Sequence, residues 1–175
     1  MKNDKKNIGC LILLGIIILI AAIAGIKSVV SCIGEKSYDA KIRKGIVSYT
    51  QNENAVGTKV VAYDETKKIF TDRFIPKELR ASNAKEVGYI LYYTDKQLSV
   101  TERYGISQYS YSSGKSITGK VEQVTVRLVN YKTGREVATT TFTASAPSKI
   151  SSKATTFNEK VSSSRVESWV RAHAG

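Results

Sequence analysis

The sequence predicts an α+β protein in which an N-terminal transmembrane helix is followed by a mainly antiparallel β-sheet domain with a C-terminal amphipathic helix. Three observations support this prediction. The first is an uncharged, strongly apolar run over residues 8–26. The second is a pair of alternating segments joined by a Thr-Gly turn, and the third is a set of apolar residues near the C-terminus that recur every three to five positions.

The apolar run over residues 8–26 consists mainly of Ile, Leu and Ala. A helix of this length covers about 28 Å at ~1.5 Å per residue, which matches the hydrocarbon core of a bilayer. A buried helix of a small domain has no need to be apolar on every face. The run therefore predicts a membrane span.

Three fates of this leader are consistent with the residues around it. It is a retained signal-anchor, a signal peptide cleaved after Ala22-Ile23-Ala24, or a lipoprotein leader that ends at Cys32, which would then be acylated. The apolar run continues past Ala24, and Lys27 interrupts the apolar approach to Cys32. We therefore expect a retained signal-anchor, with Cys32 as the candidate lipidation site of the alternative.

The charges on either side of the run give opposite indications of orientation. Lys2, Lys5 and Lys6 favour a cytoplasmic N-terminus, although basic residues are more numerous beyond the other end. A short basic tail before an apolar run is typical of export signals, and large domains translocate largely regardless of charge. We expect a single-pass protein with an extracytoplasmic C-terminal domain. Its predicted parts are a cytoplasmic tail over 1–7, the signal-anchor over 8–26, a juxtamembrane stalk over 27–57 and an exported β-rich domain over 58–175.

The first half of the domain contains two segments with strong strand character. Residues 59–63 and 89–94 are rich in β-branched and aromatic side chains, and residues 64–67 are typical of a turn. A short partner strand is predicted over 98–100. These segments predict a sheet.

Two short helical turns are predicted before the strand over 89–94. Pro76 suits the first position of one turn. Asn83 with Glu86 three residues later resembles a capping box, and Gly88 is expected to close that turn.

The clearest β pattern is a hairpin. Residues 124–129 alternate, residues 136–142 include three Thr, a Val and a Phe, and Gly134 between them suits a backbone with positive φ. Two adjacent antiparallel strands are therefore predicted. The amphipathic helix that follows is predicted from the spacing of Phe157, Val161, Val166, Trp169 and Val170, with the Trp packed on the sheet.

Three stretches in the middle of the chain resemble a domain found in uncharacterised bacterial membrane-anchored or lipoprotein-like proteins. They are IPKELRASNAKEVGYI, the hairpin VTVRLVNYKTGREVATTTF and the loop ASAPSKI, and together they cover about residues 74–150. This chain departs from that pattern by having Ala84 in place of a proline and only Pro147 in the loop. The resemblance implies a fold and transfers no activity and no functional residue.

The sequence lacks the residues that the common catalytic and metal sites require. His173 is the single histidine, and the two cysteines, Cys10 and Cys32, precede the domain. Ser-His-Asp, Cys-His and zinc sites therefore cannot be assembled there. Gly114-Lys115-Ser116 lacks the earlier glycine of a phosphate-binding loop. We expect a protein that is not an enzyme and that uses no cofactor and no metal.

The charge of the chain indicates which classes of partner it binds. The formal net charge is +12, and +9 remains beyond the leader, where Lys and Arg are scattered singly. This pattern favours the lipid bilayer, anionic envelope polymers or another envelope protein over nucleic acid. Lys67 and Lys68, which are adjacent, and Tyr109 and Tyr111, which share one face of an extended segment, are the candidate surface-binding residues.

The sequence thus predicts a membrane protein of the bacterial cell envelope whose exported domain binds or supports an envelope component. The alternative is an acylated lipoprotein, attached through Cys32, with a ligand-binding or enzyme-accessory role.

Overall fold

A computed structural model describes residues 36–46, 48–105, 114–151 and 153–174. The predicted span over 8–26 lies outside these residues. Among the helices that the structure describes, none has the length and apolar character needed to cross a membrane. The described part is a mixed α+β fold with a six-stranded sheet and two helices, which confirms the α+β part of the predicted fold class.

The secondary structure follows a simple chain order. Helix α1 covers residues 36–43. The strands are β1 (Lys59–Asp64), β2 (Ile69–Thr71), β3 (Val87–Tyr104), β4 (Lys115–Asn130), β5 (Glu136–Thr143) and β6 (Asn158–Glu159). Two short 3-10 turns, Lys77–Leu79 and Ala84–Glu86, precede β3, and helix α2 (Ser163–Ala174) ends the described chain.

The sheet has the order β2-β1-β3-β4-β5, and β6 pairs with Lys120 and Val121 of β4. It contains antiparallel and parallel pairs, because β1 runs parallel to β3 and β6 runs parallel to β4. The β3–β4 hairpin dominates it, with an unbroken antiparallel register from Tyr89↔Asn130 to Tyr104↔Lys115. The prediction of a separate short strand over 98–100 was wrong, since these residues continue β3 and pair with β4.

The two faces of the sheet carry two cores. On one face, α2 packs over Leu91, Val126 and Leu128, which are fully buried. On the other face, Ile42 of α1 is fully buried among residues of β1, β2 and β3. The Tyr38 hydroxyl also donates a hydrogen bond of 2.9 Å to the Ala81 carbonyl.

The packing of α1 corrects the predicted domain boundary. The composition of residues 27–57 predicted a stalk, with the domain beginning at residue 58. The described part of that range instead contributes Ile42 to the core and a backbone hydrogen bond from Asn52 to the Tyr131 carbonyl, 2.7 Å long. The folded part therefore includes residues from 36 onward. A few apolar residues are enough, because Ile42 is fully buried and Tyr38 and Ile46 pack against the same cluster.

Helix α2 is amphipathic, as predicted, and buries Val166, Val170 and Ala174. The Trp169 ring meets Phe142 of β5 edge-on, with 6.5 Å between centroids. The predicted helix was too long, however. Phe157 and Val161 are buried in the extended segment before α2, which begins only at Ser163.

The turn before β3 is capped much as predicted. Asn83 accepts a hydrogen bond of 3.0 Å from the Lys85 amide, and the Glu86 carboxylate accepts one of 2.8 Å from the Ser82 amide. Gly88 does not close this turn. It lies in β3, where a Cβ atom would approach the Gly57 carbonyl oxygen to 2.1 Å, so the glycine is needed for close backbone contact.

Three charged side chains, Arg73, Asp95 and Glu122, form a cluster that we call the Arg73 fork, and it joins parts of the fold that are distant in sequence. The Arg73 guanidinium, on the loop after β2, contacts the carboxylates of Asp95 in β3 and Glu122 in β4, each at 2.8 Å. Glu122 is only 3% exposed, and its second oxygen accepts a hydrogen bond of 2.8 Å from the Val161 amide. The fork therefore ties a loop, the central hairpin and the segment before α2 together.

The hairpin turn yields the first testable prediction. Gly134 has φ of +67°, as the sequence predicted, and its amide donates to the Asn130 carbonyl at 2.9 Å. Replacing Gly134 with Val should lower the free energy of unfolding by about 1 kcal/mol or more, because a β-branched residue is strained at positive φ. Urea denaturation measures this change. Lys132→Val in the same exposed turn is the control, and an unchanged midpoint in Gly134→Val would contradict the assignment.

Candidate binding surface

Two of the five candidate site residues lie in the described part of the chain. Lys67 and Lys68 occupy the turn between β1 and β2, and both are exposed. Cys32, Tyr109 and Tyr111 lie outside the described residues.

The turn that carries the lysines is held by a buried carboxylate. Asp64, at the end of β1, is fully buried, and its Oδ1 accepts hydrogen bonds from the Thr66 amide at 3.0 Å and the Lys67 amide at 2.9 Å. Its Oδ2 accepts one of 2.9 Å from the Tyr93 hydroxyl and lies 3.4 Å from the Lys67 ammonium. Lys68 completes the turn with φ of +58°.

The protonation of Asp64 is governed by these contacts. Burial by itself acts to raise the pKa of Asp64, but the Lys67 amide, the Tyr93 hydroxyl and the Lys67 charge together lower it. Conversely, burial and the neighbouring Asp64 charge raise the pKa of Tyr93. The carboxylate is therefore ionised in the folded protein and fixes the direction in which the two lysines leave the sheet.

Next to this turn lies a group of aromatic and guanidinium side chains, which we call the tyrosine–arginine patch: Arg43, Tyr49, Tyr63, Tyr92 and Arg127. Arg43 donates hydrogen bonds to the Lys68 carbonyl at 2.8 Å and to the Tyr49 hydroxyl at 2.5 Å. The rings of Tyr49 and Tyr63 have centroids 5.7 Å apart. The turn that carries the lysines therefore adjoins the exposed Tyr49 ring through Arg43.

The second half of the patch is formed across the sheet. The Arg127 guanidinium lies 4.6 Å above the Tyr92 ring and 3.5 Å from the Glu65 carboxylate. Burial raises the pKa of Tyr92 to about 12, although Arg127 acts in the opposite direction. Tyr92 is therefore protonated at neutral pH, and its hydroxyl donates to the Tyr49 carbonyl.

Sequence reasoning missed the patch because its five members come from five separate segments. Only the parallel pairing of β1 with β3 and the antiparallel pairing of β3 with β4 place Tyr63, Tyr92 and Arg127 side by side. No local pattern marks them. Alternation along β4 does indicate that Arg127 faces away from Val126 and Leu128, which is the one available signal.

The two basic residue types behave differently over the described residues. All but one of the ion pairs there use an arginine, and the exception joins Lys67 to Asp64. The described lysines are all exposed apart from Lys59, which is half-buried and donates to the Glu78 carbonyl. Five of the eight described arginines therefore pair with acidic residues, and the unpaired positive charge resides mainly on exposed lysines, together with Arg103, Arg135 and Arg165.

Two open cavities of the described fold lie apart from this surface, and neither is lined by the turn lysines or by a residue of the patch. One, of about 490 Å³, is lined in part by Lys59, Tyr89 and Lys132, and the other, of about 520 Å³, by Leu98 and Tyr104. Within the described ranges, no three His, Cys, Asp or Glu side chains are grouped so that they would hold a metal ion. The surface is suited to noncovalent contact with an anion through ammonium groups and flanking aromatic rings.

Comparisons of the chain with protein-family models, with curated proteins and with solved structures find no significant match.

The buried carboxylate of the turn gives the second prediction. Asp64→Asn should destabilise the protein at neutral pH by roughly 1–3 kcal/mol, because the hydrogen bonds and the Lys67 contact favour the ionised form. The folded-state pKa of Asp64 is lowered, so its contribution is present above the ordinary pKa of an aspartate and is lost as the pH falls through the folded-state value.

Thermal denaturation of both proteins from pH 7 to pH 2.5 tests this expectation. The gap between wild type and Asp64→Asn should be widest near neutral pH and should narrow in acid. Glu53→Gln, at an exposed position, is the matched control. A gap that stays constant across this range would show that Asp64 is not stabilised as an anion.

Proposed function

We propose that this chain is a single-pass membrane-anchored protein whose β-rich domain lies outside the cytoplasm and binds an anionic component of the cell envelope. Exposed lysines spread over the domain carry the binding, and no discrete pocket is required. One observation supports this above all: within the described residues, every lysine except Lys59 is exposed, and Lys67 alone among these lysines takes part in an ion pair.

In such binding, the electrostatic attraction is spread over many separate contacts. A Lys or Arg near an anionic surface contributes about 1 kcal/mol when it is well placed. At physiological ionic strength the Debye length is about 8 Å, so exposed charges interact only at short range and are strongly screened by added salt. Affinity then results from many weak contacts. The net charge of +9 beyond the leader provides enough of them.

The third prediction concerns salt. The full-length chain in a neutral detergent should bind a labelled anionic polymer, polyglycerol phosphate, and the affinity should fall steeply between 50 mM and 500 mM NaCl because screening weakens every contact. Fluorescence anisotropy of the polymer measures the affinity, and uncharged dextran is the control ligand. Binding that is insensitive to salt, or no binding at 50 mM NaCl, would refute the proposal.

Two double variants separate diffuse charge from a local site. Lys67→Gln with Lys68→Gln removes two charges beside the tyrosine–arginine patch, and Lys149→Gln with Lys153→Gln removes two exposed charges elsewhere. Diffuse binding predicts small and equal losses of affinity, about twofold to tenfold each. A loss confined to the first variant would replace the diffuse surface with a discrete site at the turn.

The fourth prediction concerns topology and follows from the apolar run over 8–26 behind Lys5 and Lys6. Protease added to intact cells should degrade the domain, and the mass of the chain extracted from membranes should be that of the uncleaved protein. Digestion only after lysis would reverse the orientation. A mass that begins at an acylated Cys32 would establish the lipoprotein alternative.

A further inference from the structure

The two edge strands of the main sheet differ in how accessible their outer backbone groups are to another strand. At one edge, β2 is only three residues long, and its Phe70 amide donates a hydrogen bond of 2.7 Å to the Asp39 carboxylate on α1. At the other edge, β5 has eight residues and pairs on one side with β4. In the part of the chain that the structure describes, no strand pairs with its outer side.

The ladder with β4 determines which backbone groups of β5 face outward. The Ala144 amide donates to the Glu122 carbonyl at 2.9 Å, so Ala144 faces β4. Along a strand of an antiparallel ladder, the backbone N–H and C=O groups point alternately toward and away from the neighbouring strand. The backbone groups of Thr139, Thr141 and Thr143 therefore point away from β4. An independent contact agrees: Arg165 of α2 donates a hydrogen bond of 3.3 Å to the outward carbonyl of Thr143.

This outer edge lacks the features that usually prevent pairing. Natural edge strands are protected by Lys, Pro, bulges or short length. Residues 137–143 contain no charged residue and no proline, and four of the seven are Thr. The bulge in the β4–β5 ladder lies beside Val129, at the start of β5, and leaves the rest of the strand regular. Only the Thr143 end is covered, by Arg165.

The pattern of the edge suits a second copy of the same chain. Two β5 strands placed antiparallel about Thr140 bring Thr139 opposite Thr141 and Val137 opposite Thr143. Thr139 and Thr141 both face outward, so each of the two symmetry-related Thr139–Thr141 pairs can exchange two backbone hydrogen bonds. Two copies of a chain with a net charge of +12 repel each other over most of their surfaces. Residues 137–143, which we call the uncharged strip, are where this electrostatic repulsion is weakest.

The ends of the strip add charge complementarity. In this register the exposed Glu136 of one copy lies opposite Ala144 of the other, next to the Thr143 carbonyl that Arg165 contacts. Neither Glu136 nor Arg165 takes part in an ion pair among the described residues. The twofold arrangement therefore places opposite charges near each other at both ends, while Arg135 lies one position farther out.

We propose that the outer edge of β5 is a self-association surface at which two copies of this chain pair antiparallel about Thr140, joining their sheets into one.

Light scattering on the full-length chain in neutral detergent tests the association. Wild type should be a dimer at 100 µM. Thr141→Lys should weaken the dimer at least tenfold, because it places like charges on the shared edge and keeps the backbone bonds to β4. Its loss of the hydroxyl contact with Thr125 of β4 is shared by Thr141→Val. Thr141→Pro should do the same by removing an outward amide. Thr141→Val is the matched control, since it keeps the amide and strand propensity and should remain dimeric.

A cysteine cross-link tests the register. In a background with Cys10→Ser and Cys32→Ser, Thr140→Cys should form an intermolecular disulfide, because a central non-hydrogen-bonded pair has Cα atoms about 4.5 Å apart. Thr143→Cys should not, because its two copies lie far apart along the strands. A monomeric wild type, a dimer that persists in Thr141→Lys with unchanged circular dichroism, or equal cross-linking at both positions would each overturn the proposal.

Discussion

The burial of the Glu122 carboxylate on β4 is the constraint on which the rest of the fold depends. β4 pairs with β3, β5 and β6, so it is the strand that most of the sheet shares. A carboxylate at 3% exposure in its middle would be strongly destabilising without a partner. The Arg73 fork and the Val161 amide satisfy both of its oxygens. The loop after β2 and the segment before α2 must therefore meet at this strand, which fixes where α2 packs.

The same preference for arginine in internal contacts shapes the surface. Guanidinium groups bind carboxylates with two parallel donors and stack on rings, so they suit fixed, partly buried positions such as Arg73 above Phe74 at 4.3 Å. Ammonium groups are more strongly hydrated and remain in water. The arginines that pair with carboxylates help to hold the structure. The exposed lysines supply most of the surface charge, and Arg103, Arg135 and Arg165 add to it.

The parts that the sequence predicted well are those determined by neighbours along the chain. Gly134 at positive φ, the Asn83 cap and the apolar stripe of α2 each follow from a few adjacent residues. The parts that it missed depend on pairing across distance. Polar residues around Asp95 gave no sign that β3 continues, because its hydrogen bonds to β4 maintain the strand there. Likewise, Ile42 is isolated in sequence and is buried only because the sheet offers it a site.

Helix α1 links the closed edge of the sheet to the charged turn. Asp39 accepts the Phe70 amide and also pairs with Arg43 at 2.9 Å, and Arg43 in turn holds the Lys68 carbonyl. One helix thus seals β2 and positions the lysine turn.

The residues between 26 and 36 span at most about 35 Å when fully extended. In the proposed membrane-anchored arrangement, this length limits how far α1 and the turn that it holds can lie from the bilayer surface, within reach of anionic headgroups.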